Sequence, residues 1–301
     1  MKSGSDKIVL QSHIVPGSAE RSRFSEYAIG LFPPLNSRNA VKKTIKKGRL
    51  LLNGITAQTG SWVTPGSTID LISDTENPGP EYRLELKKLY EDDHIAVIMK
   101  PAGVPVNGNF FKTIENALPF SLLPSTAEDA LSRPMPLHRL DSRTSGLLLA
   151  AKTSSAMKEL GLQFENRAVK KRYRAVVTGE IRKDGIINSP IDGRAALTVY
   201  KPVRTAPSLK YGYLTLVDLF PETGRTHQIR IHLSAIGHPI LGDNLYGTGG
   251  SILRGKGLFL CAVEHSFIHP LFRTPLSVSI NHPAKFNSIM IREQMRLRKD
   301  N

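Results

Sequence analysis

The residues best equipped for chemistry lie in three short segments. The first runs Pro136-Leu137-His138-Arg139-Leu140-Asp141-Ser142-Arg143-Thr144-Ser145-Gly146 and leads into the apolar run Leu147-Leu148-Leu149-Ala150-Ala151. A buried strand that begins with Asp, Arg, Thr and Ser carries polar groups at its mouth, where a rigid scaffold presents reactive side chains. Asp141 has arginines on either side in sequence. A nearby cation favours the carboxylate form, so Asp141 suits a base or nucleophile more than an acid. The same composition also fits a turn-forming aspartate held in a structural salt bridge.

The second segment is Thr223-Gly224-Arg225-Thr226-His227-Gln228-Ile229-Arg230-Ile231-His232-Leu233. A glycine turn opens a helix whose free N–H groups and positive dipole end suit a phosphate or a carboxylate. Arg225 has the fork geometry to pair with a carboxylate bidentately. Helix capping with ordinary surface charge would give the same pattern. In the third segment, Lys170 to Gly179, Tyr173 is interleaved with Lys170, Lys171, Arg172 and Arg174. That pattern suits a ring stacking on a base while cations hold the backbone, or a strand whose tyrosine is core and whose charges are solvated.

Other chemistries fail on spacing. Residues 250–257 come one residue short of a phosphate-binding loop, with Gly257 where the magnesium-binding Ser or Thr belongs. No G-x-G-x-x-G stands between a strand and a helix, so neither a dinucleotide nor a methyl-donor site is supported, and methyl transfer is disfavoured. His227 and His232 are five apart, and His265 and His269 are followed at once by Pro270. No metal and no cofactor are expected.

The elements that must carry these residues follow from periodicity. The polar, proline-bearing stretch 73–80 reads as a linker between a small module, 1–76, and a larger domain, 81–301. In the first, Ser37 and Gly48 bracket a helix over 38–47 with Val41 and Ile45 inward. Between Arg38 and Arg49 there are six basic residues and no acid, so Arg38, Lys42, Lys43 and Lys46 are candidate nucleic-acid contacts. Asn53-Gly54 marks a hairpin, and Pro65-Gly66 a further turn before a strand that ends near Ile72. In the second, strands are expected at 95–99, 147–151, 173–177, 213–219, 258–263 and 276–280, helices at 155–167 and 226–236 with Thr226 as cap, and a basic helical tail at 289–299. Strands outnumber helices without alternating with them, which argues for an α+β fold with a mixed, mainly antiparallel sheet.

The chain has 301 residues with 41 Lys+Arg against 26 Asp+Glu, a formal charge of +15. That excess points to a polyanionic partner. The single cysteine, Cys261, sits in an apolar run and reads as a buried small hydrophobe. No apolar stretch reaches the length of a spanning helix, and Met1 to Asp6 lead into no signal-peptide core. A cytoplasmic, monomeric protein with RNA as partner and no membrane association is expected.

His138-Arg139-Leu140-Asp141 followed by Thr144-Ser145-Gly146 resembles the signature of the RluA-type RNA pseudouridine synthases. Lys100-Pro101-Ala102-Gly103-Val104, Lys171-Arg172-Tyr173-Arg174-Ala175, the stretch from Gly224 through Tyr246-Gly247, Leu260-Cys261-Ala262 and His269-Pro270 follow in the family's order. Two departures are Ser142-Arg143, where a charged pair beginning with arginine is common, and Asn107 in place of a histidine. The resemblance implies a pseudouridine synthase fold that isomerises uridine in structured RNA without cofactor or metal. It implies Asp141 as the essential carboxylate, Arg225 as the partner that aims it, Tyr173 stacked on the uracil, and His138 and Arg139 at the displaced nucleotide. The basic first module resembles the RNA-binding domain named after ribosomal protein S four. A second RNA grip favours large-subunit ribosomal RNA over transfer RNA, and a non-catalytic ribosome-assembly factor is the competing reading.

Overall fold

Leu147 to Ala151 form a run of five residues with no exposed surface, and the sheet is built around them. The computed structural model describes residues 9–32, 35, 37–72, 80–247, 253 and 255–299. It divides into two compact units, 1–79 and 80–301. The expected linker falls outside the described residues apart from Pro80, as do residues 1–8 and residues 250–252 and 254 of the glycine-bearing segment.

The first unit contains β1 (Val9–Ile14), β2 (Ser22–Arg23), α1 (Phe24–Tyr27), α2 (Arg38–Lys46), β3 (Leu50–Leu52), β4 (Ile55–Thr56), β5 (Trp62–Val63) and β6 (Thr68–Ile72). Four strands pair in the order β1-β6-β3-β4, all antiparallel, and β2 pairs β5. The Ser37 side chain accepts from Ala40 N at 3.2 Å and starts α2. Gly48, at φ 69°, ends it. Val41 and Ile45 are buried against Phe24, Leu35 and Leu50, while Lys42, Lys43, Lys46 and Lys47 are exposed. Asn53 and Gly54, at φ 52° and 78°, supply the two left-handed residues of the hairpin turn.

The second unit contains β7 (Lys88–Glu91), β8 (Ile95–Lys100), α3 (Ile114–Ser121), β9 (Ala130–Pro136), β10 (Ser145–Thr153), α4 (Ser154–Glu165), β11 (Lys170–Thr178), β12 (Gly185–Ile187), β13 (Thr198–Ser208), β14 (Gly212–Pro221), α5 (Gln228–Ala235), β15 (Leu260–Ile268), β16 (Pro275–Ser279) and α6 (Ala284–Lys299). Ten strands form one sheet in the order β12-β13-β14-β11-β15-β10-β8-β7, with β16 on β15 and β9 on β10. Among the described strands the pairs are antiparallel except β10 with β15, which meet in parallel at Ser145–Cys261 and Gly146–Ala262. The fold is therefore α+β with a mixed, mainly antiparallel sheet, as expected.

Both faces of β10 are covered. Leu148 and Ala150 belong to a core that also takes in side chains of α3, α5 and α6, and Leu147, Leu149 and Ala151 to one that takes in Leu160 of α4, so the strand reads as an unbroken apolar run. Cys261 is buried in β15. No helix among the described residues is long and apolar enough to cross a membrane. β7, α3, β9 and β12 were not among the expected elements, and two further differences have a clear cause. The second helix starts at Gln228 and not at Thr226, because His227 adopts a left-handed backbone with φ 56°. β13 was not expected, because Pro202 and Pro207 break its pattern. Both prolines lie beyond the three residues paired to β12, where the outer edge needs no N–H donor.

Candidate active site

Asp141 lies in the turn before β10, and three main-chain oxygens around it converge on one buried ammonium. Lys100, at the end of β8, has no exposed surface and donates from Nζ to Pro101 O at 2.8 Å, Ser142 O at 3.1 Å and Thr144 O at 2.9 Å. Gly103 N donates to Ser142 O at 2.7 Å, and Thr144 N to Asp141 O at 3.0 Å. Burial pushes the Lys100 ammonium down to about 8, with Asp141 acting in the opposite direction. Gly146 allows β10 to meet β15: its φ is +123°, and a Cβ there would stand 2.3 Å from Ala262 O.

The Asp141 carboxylate is straddled by two side chains of one segment. Arg230 Nη1 approaches Oδ2 at 3.5 Å, and His227 Nε2 approaches Oδ1 at 3.7 Å. Arg230 is itself gripped by Asp243, Nε to Oδ2 at 2.7 Å and Nη2 to Oδ1 at 2.8 Å. Against the cost of burial, these carboxylates hold the guanidinium more firmly protonated than usual. Asp243 likewise stays below the usual carboxylate range despite burial, through Arg230 and the N–H groups of Leu245 and Tyr246.

Gln228 sets the entry to α5. Its Oε1 accepts from Thr223 Oγ1 at 2.6 Å and Arg225 N at 3.0 Å, and its Nε2 donates to Leu197 O and Thr198 Oγ1. These bonds fix the turn that turns His227 and Arg230 inward.

A cleft of about 520 Å³ opens over Asp141, lined by the first residues of β11, the end of β14 and residues 223–230. Tyr173 lies in its wall, 9% exposed. Burial, then the charge of Asp141 and then Cys261, hold its phenol protonated beyond the ordinary range. The neighbouring cations serve the sheet: Arg174 makes a bidentate pair with Asp218, and Arg172 pairs with Asp218 and Glu264.

The structure thus brings Asp141, Tyr173 and the 223–230 segment together, and it places Arg225 differently from the expectation. Arg230, not Arg225, faces Asp141; Arg225 Nε donates to Ala195 O at 3.1 Å on the cleft wall. Arg225 precedes the left-handed residue, so its side chain leaves before the helix turns inward. A signal for Arg230 was present: an arginine between Ile229 and Ile231 on a helix that buries Leu233 must be neutralised by carboxylates.

His138 also plays a part that composition did not reveal. β15 leaves β10 after Gly146 and β9 pairs with it only from Ala150, so the Leu149 N–H lacks a strand partner. His138 Nε2 accepts that N–H at 3.1 Å, and the ring stacks on Phe164 with centroids 5.0 Å apart. Burial, then His265 and Lys171, keep His138 well below its usual range and neutral. Arg139 is exposed on the cleft wall. Arg38, Lys42, Lys43 and Lys46 all belong to α2 of the first unit, where Arg38 pairs with Glu26 at 3.0 Å. No group of three or more metal-ligating side chains occurs among the described residues.

The site can be set against known proteins. Residues 94–235 match the family described as RNA pseudouridylate synthase. A relative from Xanthomonas campestris pv. campestris, Ribosomal large subunit pseudouridine synthase D, is 34% identical over 93% of this chain and 92% of its own length. The protein of the same name from Nitrosomonas europaea is 37% identical over 81% of this chain and 77% of its own. Among solved structures, Human RNA Pseudouridylate Synthase Domain Containing 1 superposes with a TM-score of 0.56 at 26% identity, covering 68% of this chain and 86% of that one. With its Asp141 turn, Tyr173 strand and Arg230 helix all inside or beside the matched span, the chain belongs to the RluA-type family of RNA pseudouridine synthases.

Proposed function

We propose that the protein converts uridine to pseudouridine in large-subunit ribosomal RNA, with Asp141 as the essential carboxylate. The observation that carries this reading is the carboxylate itself, set at the mouth of a buried strand between Arg230 and His227, with Tyr173 in the same cleft. The names of the Xanthomonas and Nitrosomonas relatives support the ribosomal target.

The reaction breaks the bond between uracil N1 and ribose C1′, turns the base, joins C5 to C1′, releases the C5 proton and leaves N1 carrying a proton, so that the product is an isomer. Asp141 acts as nucleophile or as general base on the ribose. Arg230 keeps its charge and direction. The Tyr173 ring offers a face for the uracil, and its protonated hydroxyl a donor beside it. Arg139, on the rim, faces the position of the displaced nucleotide. Leaving the stack costs a few kcal/mol, recovered by stacking and phosphate contacts. The first unit acts as an RNA grip of the kind named after ribosomal protein S four, through the exposed lysines of α2. The protein works as a monomer in the cytoplasm.

The test is tritium release from RNA labelled at uridine C5. Asp141→Asn abolishes release while RNA binding persists; retained turnover in that variant overturns the assignment. Mapping pseudouridines in ribosomal RNA from cells with and without the gene identifies the target.

A further inference from the structure

Five residues other than glycine have positive φ among the described residues: Asn53, Arg167, Asp192, His227 and Arg273. Asn53 and Asp192 precede glycine in tight turns, where that conformation is ordinary. Arg167 stands just past the C-cap of α4, where a left-handed residue ends the helix and its N–H returns to Phe164 O at 3.2 Å. Arg273 sits in the turn between β15 and β16 and pairs with Glu159. His227 is different. It occupies the position before the first residue of α5 with φ 56° and ψ 16°, yet its side chain makes no capping bond. Strain without a local structural return, in a residue that lines a reactive cleft, points to what the side chain does there.

The imidazole is held from behind. Nδ1 lies 2.9 Å from the Tyr246 hydroxyl, and the two rings meet edge to face at 5.6 Å. Tyr246 is fixed in turn. Its N–H donates to Asp243 Oδ1, its carbonyl accepts from Ser234 Oγ at 2.7 Å, and its ring covers the Arg230 guanidinium at 5.0 Å. Arg143, from the Asp141 turn, donates to the neighbouring Asn244. The groups facing His227 are therefore Asp141 from the turn before β10, Tyr246 from the turn that begins at Asp243, and Arg230 from α5.

We propose that His227, oriented by the Tyr246 hydroxyl, is a positioning residue for Asp141, giving the carboxylate a second donor opposite Arg230. A carboxylate only accepts, so the nitrogen facing it, Nε2, carries the proton. In the neutral ring Nδ1 is then the acceptor, and the Tyr246 hydroxyl donates to it and selects that tautomer. Arg230 stands at the outer limit of a hydrogen bond from Asp141, at 3.5 Å, and His227 just beyond it, at 3.7 Å, so small movements of the carboxylate close on either one.

This inference rests on the proposed pseudouridine synthesis, and its test separates the two. Tyr246→Phe keeps the ring on Arg230 and removes the hydroxyl. His227→Asn removes the imidazole with a residue that tolerates left-handed backbone. Each lowers kcat for tritium release by about 10- to 100-fold, with KM and RNA Kd within about twofold. The double variant is no slower than His227→Asn alone, because both changes break one device. Nitrogen-15 spectra of the His227 ring show an unprotonated Nδ1 that loses its fixed tautomer in Tyr246→Phe. Wild-type kcat in Tyr246→Phe, losses that multiply in the double variant, or changes confined to KM overturn the inference. Absence of turnover in the wild-type protein overturns the reading beneath it.

Discussion

Asp243 takes two of the three guanidinium nitrogens of Arg230, at 2.7 and 2.8 Å, and leaves the third to face Asp141 at 3.5 Å. The arginine is aimed by one carboxylate at another. Thirteen residues of sequence separate Arg230 from Asp243, and the pair is buried on both sides, with side chains 4% and 1% exposed. The arrangement gives Asp141 a cation that cannot swing away, since moving it would strand Asp243.

This division separates Arg230 from Arg225 experimentally. Arg230→Lys offers one point charge where a fork is needed, so it cannot serve Asp243 and Asp141 together. Its kcat falls by about 100-fold with RNA binding retained, because the single ammonium stays with the buried Asp243 and no longer faces Asp141. Arg225→Lys changes only a contact to Ala195 O on the cleft wall, so kcat holds and any effect enters through KM. Steady-state tritium release on both variants checks this. The opposite pattern would return the pairing role to Arg225.

Lys100 predicts an alkaline limit. The charged amine has three protons for three main-chain oxygens; the neutral amine has two. With the group titrating at about 8, the turn carrying Asp141 loses one bond and a neighbouring charge above that pH. We expect kcat to fall above about pH 8, and Lys100→Met to be slow at every pH without that limb. Stability moves the other way. The folded value lies below the ordinary lysine value of 10.5, so between the two the unfolded chain holds a proton that the folded chain has released. The Lys100 contribution is therefore complete above the unfolded value and is lost as pH falls through about 8. Urea denaturation at pH 7 and pH 9, compared with Lys100→Met, reads the sign.

Gly146 and Gly103 give a matched pair of backbone tests. Both have positive φ, +123° and +94°, but a Cβ at 103 meets nothing within 4 Å, while one at 146 meets Ala262 O at 2.3 Å and N at 2.4 Å. Gly103→Ala carries only backbone strain, about 1–2 kcal/mol. Gly146→Ala must also push β10 off β15 and is expected to cost about 3 kcal/mol or more. Thermal unfolding of the two variants compares them, and equal losses would mean that the parallel contact is not tight.

Much of this was readable along the chain. The apolar run after Asp141 made a buried strand, Ser37 and Gly48 bounded α2, and Asn53-Gly54 made its hairpin. Those features depend on neighbours in sequence. What escaped depends on neighbours in space. Asp243 has no local pattern that ties it to Arg230, and the role of His138 arises only because β15 and β9 leave Leu149 unpaired between them. β13 was hidden by prolines that are harmless only because β12 is short. His227 delays the start of the expected helix by two residues, since left-handed backbone in a histidine has no sequence signature.

The lysines of α2 make the last prediction, and they test the first unit alone. Val41 and Ile45 hold the helix to its core, so Lys42, Lys43 and Lys46 contribute charge and no packing. Alanine is the better helix former, so replacing all three leaves the unit folded. If these lysines meet phosphates, each releases close to one counterion on binding. The triple variant then binds RNA with a log–log salt slope shallower by about 2 to 3. Arg38 is shared with Glu26, so adding Arg38→Ala should change the slope by less than any one of the lysines. Turnover of short RNA that reaches only the cleft stays at the level of the unchanged protein. An unchanged slope in the triple variant would move the RNA grip off α2, while a slope change accompanied by slow turnover on short RNA would mean that α2 also acts on the chemistry.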